Sequence, residues 1–220
     1  GVPALPAQGM AAIPHQLAAG LARPVELGTP VSAVVRDGAR WVVHTPSGER
    51  AAATVVVATD PRTAAGLAPV EAPAMKGLVT WWFGTSQAPT SSRYLMVEGR
   101  AGTGPVVNTA VVSNVAPGYA PAGRHLVQAS ALLPEHADVP EETVVRAQLA
   151  SLYDRPTDDW QLLATHAIPD ALPAMPPPLE VRRPVAVGPG LYVCGDHRDT
   201  ASIQGALVSG RRTAEAILAA

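Results

Sequence analysis

The residues best placed to do chemistry lie near the end of the chain. Leu191 to Cys194 is an apolar run that reads as a buried strand, Gly195 follows it, and Asp196 sets a carboxylate at the strand's end. After a short spacer, Ser202, Ile203, Gln204 and Gly205 open a helical pattern that runs to the C-terminus. A carboxylate in that position accepts hydrogen bonds from ligand hydroxyls, and a glycine before it permits close approach of a backbone or a ligand. The free amides of a helix start favour negative charge, so Ser202, Ile203 and Gln204 suit a group that becomes anionic during reaction. Plainer readings stand beside these: Asp196 as a helix cap or partner of Arg198, and Ser202 as an ordinary N-cap. Gly205 and Gly210 each disfavour the helix by about 1 kcal/mol relative to Ala. Close approach of a ligand or of a packed element would offset that.

Other candidates are more isolated. Thr59 and Asp60 close the apolar run Thr54 to Ala58, where parallel strands end in ligand sites, although Asp60 before Pro61 reads equally as a turn residue. Lys76 is the only lysine and stands just before a strand, where a solvated surface group is the usual outcome. The six histidines have no metal-ligand spacing; His197 alone is near the site, where contact with a bound ligand or its phosphates is one reading and solvation in its loop the expected one. Cys194, the single cysteine, sits inside an apolar strand and reads as packing.

The elements that position these groups follow from periodicity. Met10 to Leu21 places Ile13, Leu17 and Leu21 on one helical face. Val31 to Arg36, the Asp37-Gly38 turn, Arg40 to Thr45 and Glu49 to Ala52 form a three-stranded antiparallel ribbon. From about Ala74 to Val181 the pattern changes to strands at Leu78 to Phe83, Tyr94 to Glu98, Val106 to Ser113 and His125 to Leu132. A helix follows over Glu141 to Tyr153. This stretch reads as a separate α+β lobe, with Pro169 to Pro178 as an extended return. Gly99 to Gly104 is a hairpin loop, because no helix follows it to bind phosphate.

Composition narrows the function. A net charge of -2 with no basic stripe argues against nucleic acid. No apolar run approaches the roughly 18 residues of a membrane span, and one cysteine fits a cytoplasmic location. With aromatics at only 4%, Val, Ala and Leu must fill the core.

The order of helix, ribbon, Val-Val-Val-Ala-Thr-Asp-Pro, large insert, Gly-Leu-Tyr-Val-Cys-Gly-Asp and Ile-Gln-Gly-Ala-x-x-Ser-Gly resembles the second half of the flavin amine oxidase superfamily. Within it, the chain is most similar to the desaturase-like and protoporphyrinogen-oxidase-like branch. The resemblance implies an α/β fold: a partial FAD-binding lobe of discontinuous segments, residues 1–73 and 182–220, and a mixed-sheet substrate lobe, 74–181. It implies FAD as cofactor, held by Val31, Thr59, Gly195, Asp196, Ser202, Ile203, Gln204 and Gly205. Val31 would contact the adenine by its backbone and Asp196 the ribityl region. Lys76 is the catalytic candidate, because some relatives hold a water against flavin N5 with a lysine near this place. A core-facing valine is the plain alternative for Val31.

No Gly-x-Gly-x-x-Gly occurs in these residues, so the resemblance also implies an N-terminal portion that this chain lacks. Ser202 stands where amine-oxidising relatives often place an aromatic ring, which favours an apolar organic substrate over an amine. The expected activity is oxidation of a C-H or C-N bond by hydride transfer to flavin N5. The competing expectations are a non-catalytic interaction module, which implies oligomerisation or a partner chain through exposed apolar surface, or a subunit whose nucleotide-binding half lies on another chain.

Overall fold

The computed structural model describes residues 4–220. They cluster into two compact units: residues up to Val25 with Lys76–Ala171, and Glu26–Met75 with Leu172–Ala220. The first helix, α1 (Ala12–Ala19), is shorter than its apolar spacing suggests and buries no residue. It clusters with the insert and not with the ribbon that follows it in sequence.

In the second unit, β1 (Ala33–Asp37), β2 (Arg40–Thr45) and β3 (Gly48–Ala52) form the antiparallel ribbon, with Asp37 opposite Arg40. Gly38 takes φ +54°, a conformation that favours glycine, and so closes the first turn. The Trp41 indole N-H and the Arg36 guanidinium both donate to the Pro189 carbonyl, at 3.0 and 2.7 Å. β4 (Val55–Val57) leads into α2 (Pro61–Leu67). Asp60 Oδ1 caps that helix by accepting from the Arg62 and Thr63 amides, both at 3.0 Å. Hydrogen bonding by the Thr63 side chain, and then by its amide, is the main reason the Asp60 carboxyl lies below the usual range. Asp60 is therefore a helix cap.

The insert contains β5 (Met75–Thr85), β6 (Met96–Val97), β7 (Val106–Val111), α3 (Val112–Val115), β8 (His125–Leu133), α4 (Glu142–Tyr153) and β9 (Gln161–Pro173). Its sheet has the order β6-β7-β8-β5-β9. Strand alternation sends Val79, Trp81 and Phe83 of β5, and Val127, Ala129 and Ala131 of β8, into one core with Val145 and Leu149 of α4. Gln148 fastens the helix to β7, accepting from the Val106 amide at 2.7 Å and donating to its carbonyl at 2.9 Å. On the opposite face Thr80, Gln128 and Ser130 are joined by side-chain hydrogen bonds.

The β6–β7, β7–β8 and β5–β8 pairs are all antiparallel. β9 sits at the sheet's edge, the position in which prolines such as Pro169 and Pro173 are tolerated.

The chain then adds β10 (Ala186–Gly188), β11 (Leu191–Val193) and α5 (Ile203–Leu218). β11 pairs antiparallel with β10 and parallel with β4, Val193 opposite Val57. Leu191, Val193, Val57, Ala64 and Ala68 form this unit's core. No helix among the described residues is long and apolar enough to cross a membrane.

Leu149 is fully buried at the centre of the insert's core. Leu149→Ala should lower unfolding free energy by about 2–5 kcal/mol in urea titration, through lost transfer energy and the cavity left behind. A loss below about 1 kcal/mol would show that α4 is not packed as described.

Candidate functional site

The site grows from the end of the parallel pair. The Cys194 amide donates to the Val57 carbonyl at 3.0 Å, extending the β11–β4 ladder by one residue. The next amide, Gly195 N-H, leaves the sheet and donates to Ser209 Oγ at 2.9 Å. Ser209 is fully buried on α5, and its own hydroxyl donates to the Ala206 carbonyl. This contact fixes where the strand ends relative to the helix.

Gly195 has φ +151°, and a Cβ there would lie 2.6 Å from Cε1 and Nδ1 of the His197 ring and 3.6 Å from the Thr59 carbonyl oxygen. The glycine is thus demanded by the protein's own packing. The same geometry brings Thr59 and Gly195 together at adjacent strand ends.

Asp196 follows, with its side chain 26% exposed. It lines a cleft of about 180 Å³ whose walls include Pro173, Met175, Arg183, His197 and Asp199. Burial pushes its carboxyl above the usual range, outweighing the local backbone hydrogen bonds that favour the charged form. A partly desolvated carboxylate facing a cleft is a strong acceptor for a hydroxyl.

The head of α5 is built as an N-cap. Ser202 Oγ accepts from the Gly205 amide at 3.0 Å and lies 3.0 Å from Thr200 Oγ1. Ile203 and Gln204 are exposed, and their amides, the first of the helix, have no acceptor among the described residues. A Cβ on Gly205 would collide with the Thr200 carbonyl oxygen, so the approach that this glycine permits is that of the preceding loop. At Gly210 a Cβ would meet nothing within 4 Å. Ser202, Ile203 and Gln204 do not line the Asp196 cleft, so one wall shared by the carboxylate and the helix head is not formed by these residues alone.

Two candidates stand apart. Val31 precedes β1 and is 39% exposed, which removes the core-facing reading. Lys76 is exposed near the start of β5, in the other unit.

Sequence reasoning missed the surroundings of Asp196. Arg212 donates to Asp199 Oδ2 and the Arg198 carbonyl, both at 3.1 Å, and to the Arg183 carbonyl at 2.9 Å. Arg198 Nε in turn donates to the Pro184 carbonyl at 3.0 Å. His197 is 5% exposed, not solvated, and neither ring nitrogen has a partner among the described residues. Its Nδ1 lies 3.9 Å from Asp196 Oδ1, beyond hydrogen-bond range. Burial is the main force holding its pKa below the ordinary value, with repulsion from Arg198 and Arg183 adding to it and Asp60 opposing it. Nothing in a one-dimensional pattern separates such a histidine from a solvated one. The Cys194 thiol, half-buried, is pushed up by burial as well.

A neutral, buried His197 gives a signed pH dependence. Below its ordinary pKa of about 6.5 the unfolded chain takes up a proton that the folded chain resists, so stability falls as pH drops from there toward the folded value. In urea unfolding between about pH 7.5 and pH 5, the wild type should lose more stability than His197→Gln. Parallel losses would mean that His197 is already paired or charged when folded.

With this geometry in hand, comparison with known proteins is informative. The family model for flavin containing amine oxidoreductases matches residues 3–218. A search of curated protein sequences gives no match. Among solved structures, a candidate protoporphyrinogen oxidase from Exiguobacterium sp. 255-15 is similar at 18% identity and a TM-score of 0.76, over 96% of this chain and 51% of that one. A CLA-producing fatty acid isomerase from P. acnes is similar at 11% identity and 0.65, over 94% and 52%. A putrescine oxidase bound to putrescine aligns at 16% identity and 0.65, over 97% and 53%. The chain spans about half the length of these structures. At such identities the likeness establishes the fold. The family match is what reaches further: the complete enzymes of this family are flavin-dependent oxidoreductases that use FAD, and over nearly its whole length this chain belongs to the flavin containing amine oxidoreductase family.

Proposed function

We propose that this chain forms part of the FAD site and the substrate lobe of an oxidoreductase that oxidises a C-H or C-N bond, with the hydride passing to flavin N5. The observation that carries this reading is Asp196, a partly desolvated carboxylate at the end of a parallel strand pair and facing a cleft. Strand ends of this kind are where α/β sheets bind ligands. Bound FAD supplies the hydride-accepting ring, and the protein supplies orientation and electrostatics.

In this reading Asp196 accepts hydrogen bonds from the ribityl hydroxyls. Gly195 and Thr59 shape the strand ends beneath it. The unpartnered amides of Ile203 and Gln204 offer donors to a region that gains negative charge on reduction, and Ser202 holds them by capping the helix. Gly205 allows that cap to form. Val31 is proposed at the adenine and Lys76 at the reacting centre, both on the family resemblance. Ser202 in place of an aromatic ring supports an apolar substrate over an amine.

One observation favours a second reading. The cleft of about 180 Å³ is smaller than the roughly 300–1,000 Å³ of pockets that enclose a whole ligand. The pyrophosphate cradle, for which these residues contain no Gly-x-Gly-x-x-Gly, would then come from other residues, including those of another chain. A non-catalytic module would retain the cleft without binding flavin.

The test is flavin affinity in the intact protein. Asp196→Ala removes a charged hydrogen bond worth about 1.5–3 kcal/mol, so the Kd for FAD should rise about tenfold to a hundredfold while thermal unfolding of the apoprotein changes little. Unchanged FAD affinity in Asp196→Ala would contradict the role given to this carboxylate. Absence of any flavin binding by the wild type would favour the non-catalytic module.

A further inference from the structure

The insert carries an apolar groove that the flavin reading does not use. It measures about 520 Å³ and is lined by Leu5, Tyr94, Leu95, Ala110, Val112 and Val115. Tyr94 is 82% and Leu95 58% exposed, so an aromatic ring and a branched aliphatic chain face water side by side in a concave surface. Ala110 leaves β7 on the face opposite Thr109 and Val111, which are buried in the core, so a small residue forms part of the floor.

The wall is held in place. Asn114 of α3 donates to the Thr90 and Ser92 carbonyls at 2.8 and 2.9 Å, and Ser92 Oγ accepts from the Tyr94 amide at 3.2 Å. These bonds fasten the segment that presents Tyr94 and Leu95.

The same segment presents Arg93, which lines the groove. Among the described residues Arg93 has no hydrogen bond or ion pair, whereas the nearby Arg100 is paired with Glu98 at 2.9 Å. A guanidinium beside an apolar trough is complementary to a molecule with an apolar body and one planar anionic head. A carboxylate matches its fork of donors in a bidentate pair. The volume falls within the roughly 300–1,000 Å³ typical of small-molecule sites.

We infer that this groove binds an amphipathic monocarboxylate, the apolar chain lying against Leu95, Ala110 and Val112 and the carboxylate on Arg93. The residues that line it are not those that line the cleft at Asp196.

Titration of the intact protein with decanoate, decanol and decyltrimethylammonium, all below their aggregation thresholds, tests this. Decanoate should bind at least about tenfold more tightly than decanol, and the cation more weakly than either. Arg93→Gln should remove the preference for decanoate over decanol, and Leu95→Glu should weaken decanoate most. Both positions are exposed, so neither substitution disturbs the core, and circular dichroism verifies the fold of each variant. The inference is overturned if decanoate and the cation bind alike, if Arg93→Gln leaves decanoate affinity unchanged, or if sedimentation shows the groove covered by a second copy that decanoate cannot displace. FAD affinity measured on the same samples keeps failure here distinct from failure of the flavin reading.

Discussion

The hydrogen bond from the Gly195 amide to Ser209 Oγ is the constraint on which the candidate site depends. A backbone donor leaving the end of β11 must find an acceptor once the ladder stops, and a water-accessible solution would leave the strand end free to wander. Here the acceptor is a fully buried hydroxyl on α5. It sets the distance between the strand that delivers Asp196 and the helix whose first amides are open. Arg212 repeats the connection from farther along the helix, reaching Asp199 and the Arg183 and Arg198 carbonyls. Strand end, loop and helix therefore form one braced unit, and Asp196 projects from it into a cleft.

The glycines acquire a different meaning in that frame. Gly195 makes room for the His197 ring, and Gly205 makes room for the Thr200 carbonyl. Both look like openings for a ligand when read along the chain, yet both are filled from within. The helix penalty at Gly205 is offset by the loop closure that lets Ser202 cap α5. His197 carries the opposite cost, since two buried ring nitrogens without partners weaken the fold as a histidine neighboured by Arg183 and Arg198 takes on charge.

Much of this architecture was legible from residue spacing. The Asp37-Gly38 turn with its flanking alternation marks the ribbon, because turn chemistry acts locally, and Pro140-Glu141 stands at the start of α4 although Glu141 makes no side-chain cap bond. The run at Leu191 reads as a buried strand and is one, since burial on both faces leaves no alternation to keep, whereas in β4 the same reading fails at Val56, which is 40% exposed. Other elements were hidden for equally physical reasons. β9 has two prolines and mixed exposure because an edge strand tolerates them, so its thirteen residues lack a strand signature. α2 is announced by Asp60-Pro61, a cap followed by a first-turn proline, but the pair also serves as a turn. Within the site, Asp196 was legible by its place after an apolar strand. The burial of His197 was not, since it arises from packing of its ring against Gly195 at the strand end; Arg198 is its neighbour in the chain, and only Arg183 and Asp60 are brought near it by the fold.

The central claim is that Asp196, set at the end of β11 by the Gly195–Ser209 contact, meets the polyol of a bound flavin. A crystal structure of the intact protein with FAD tests it most directly. The account predicts ribityl density within hydrogen-bond distance of the Asp196 carboxylate, with the Gly195–Ser209 bond intact. Flavin bound elsewhere, with that carboxylate facing solvent, would contradict it.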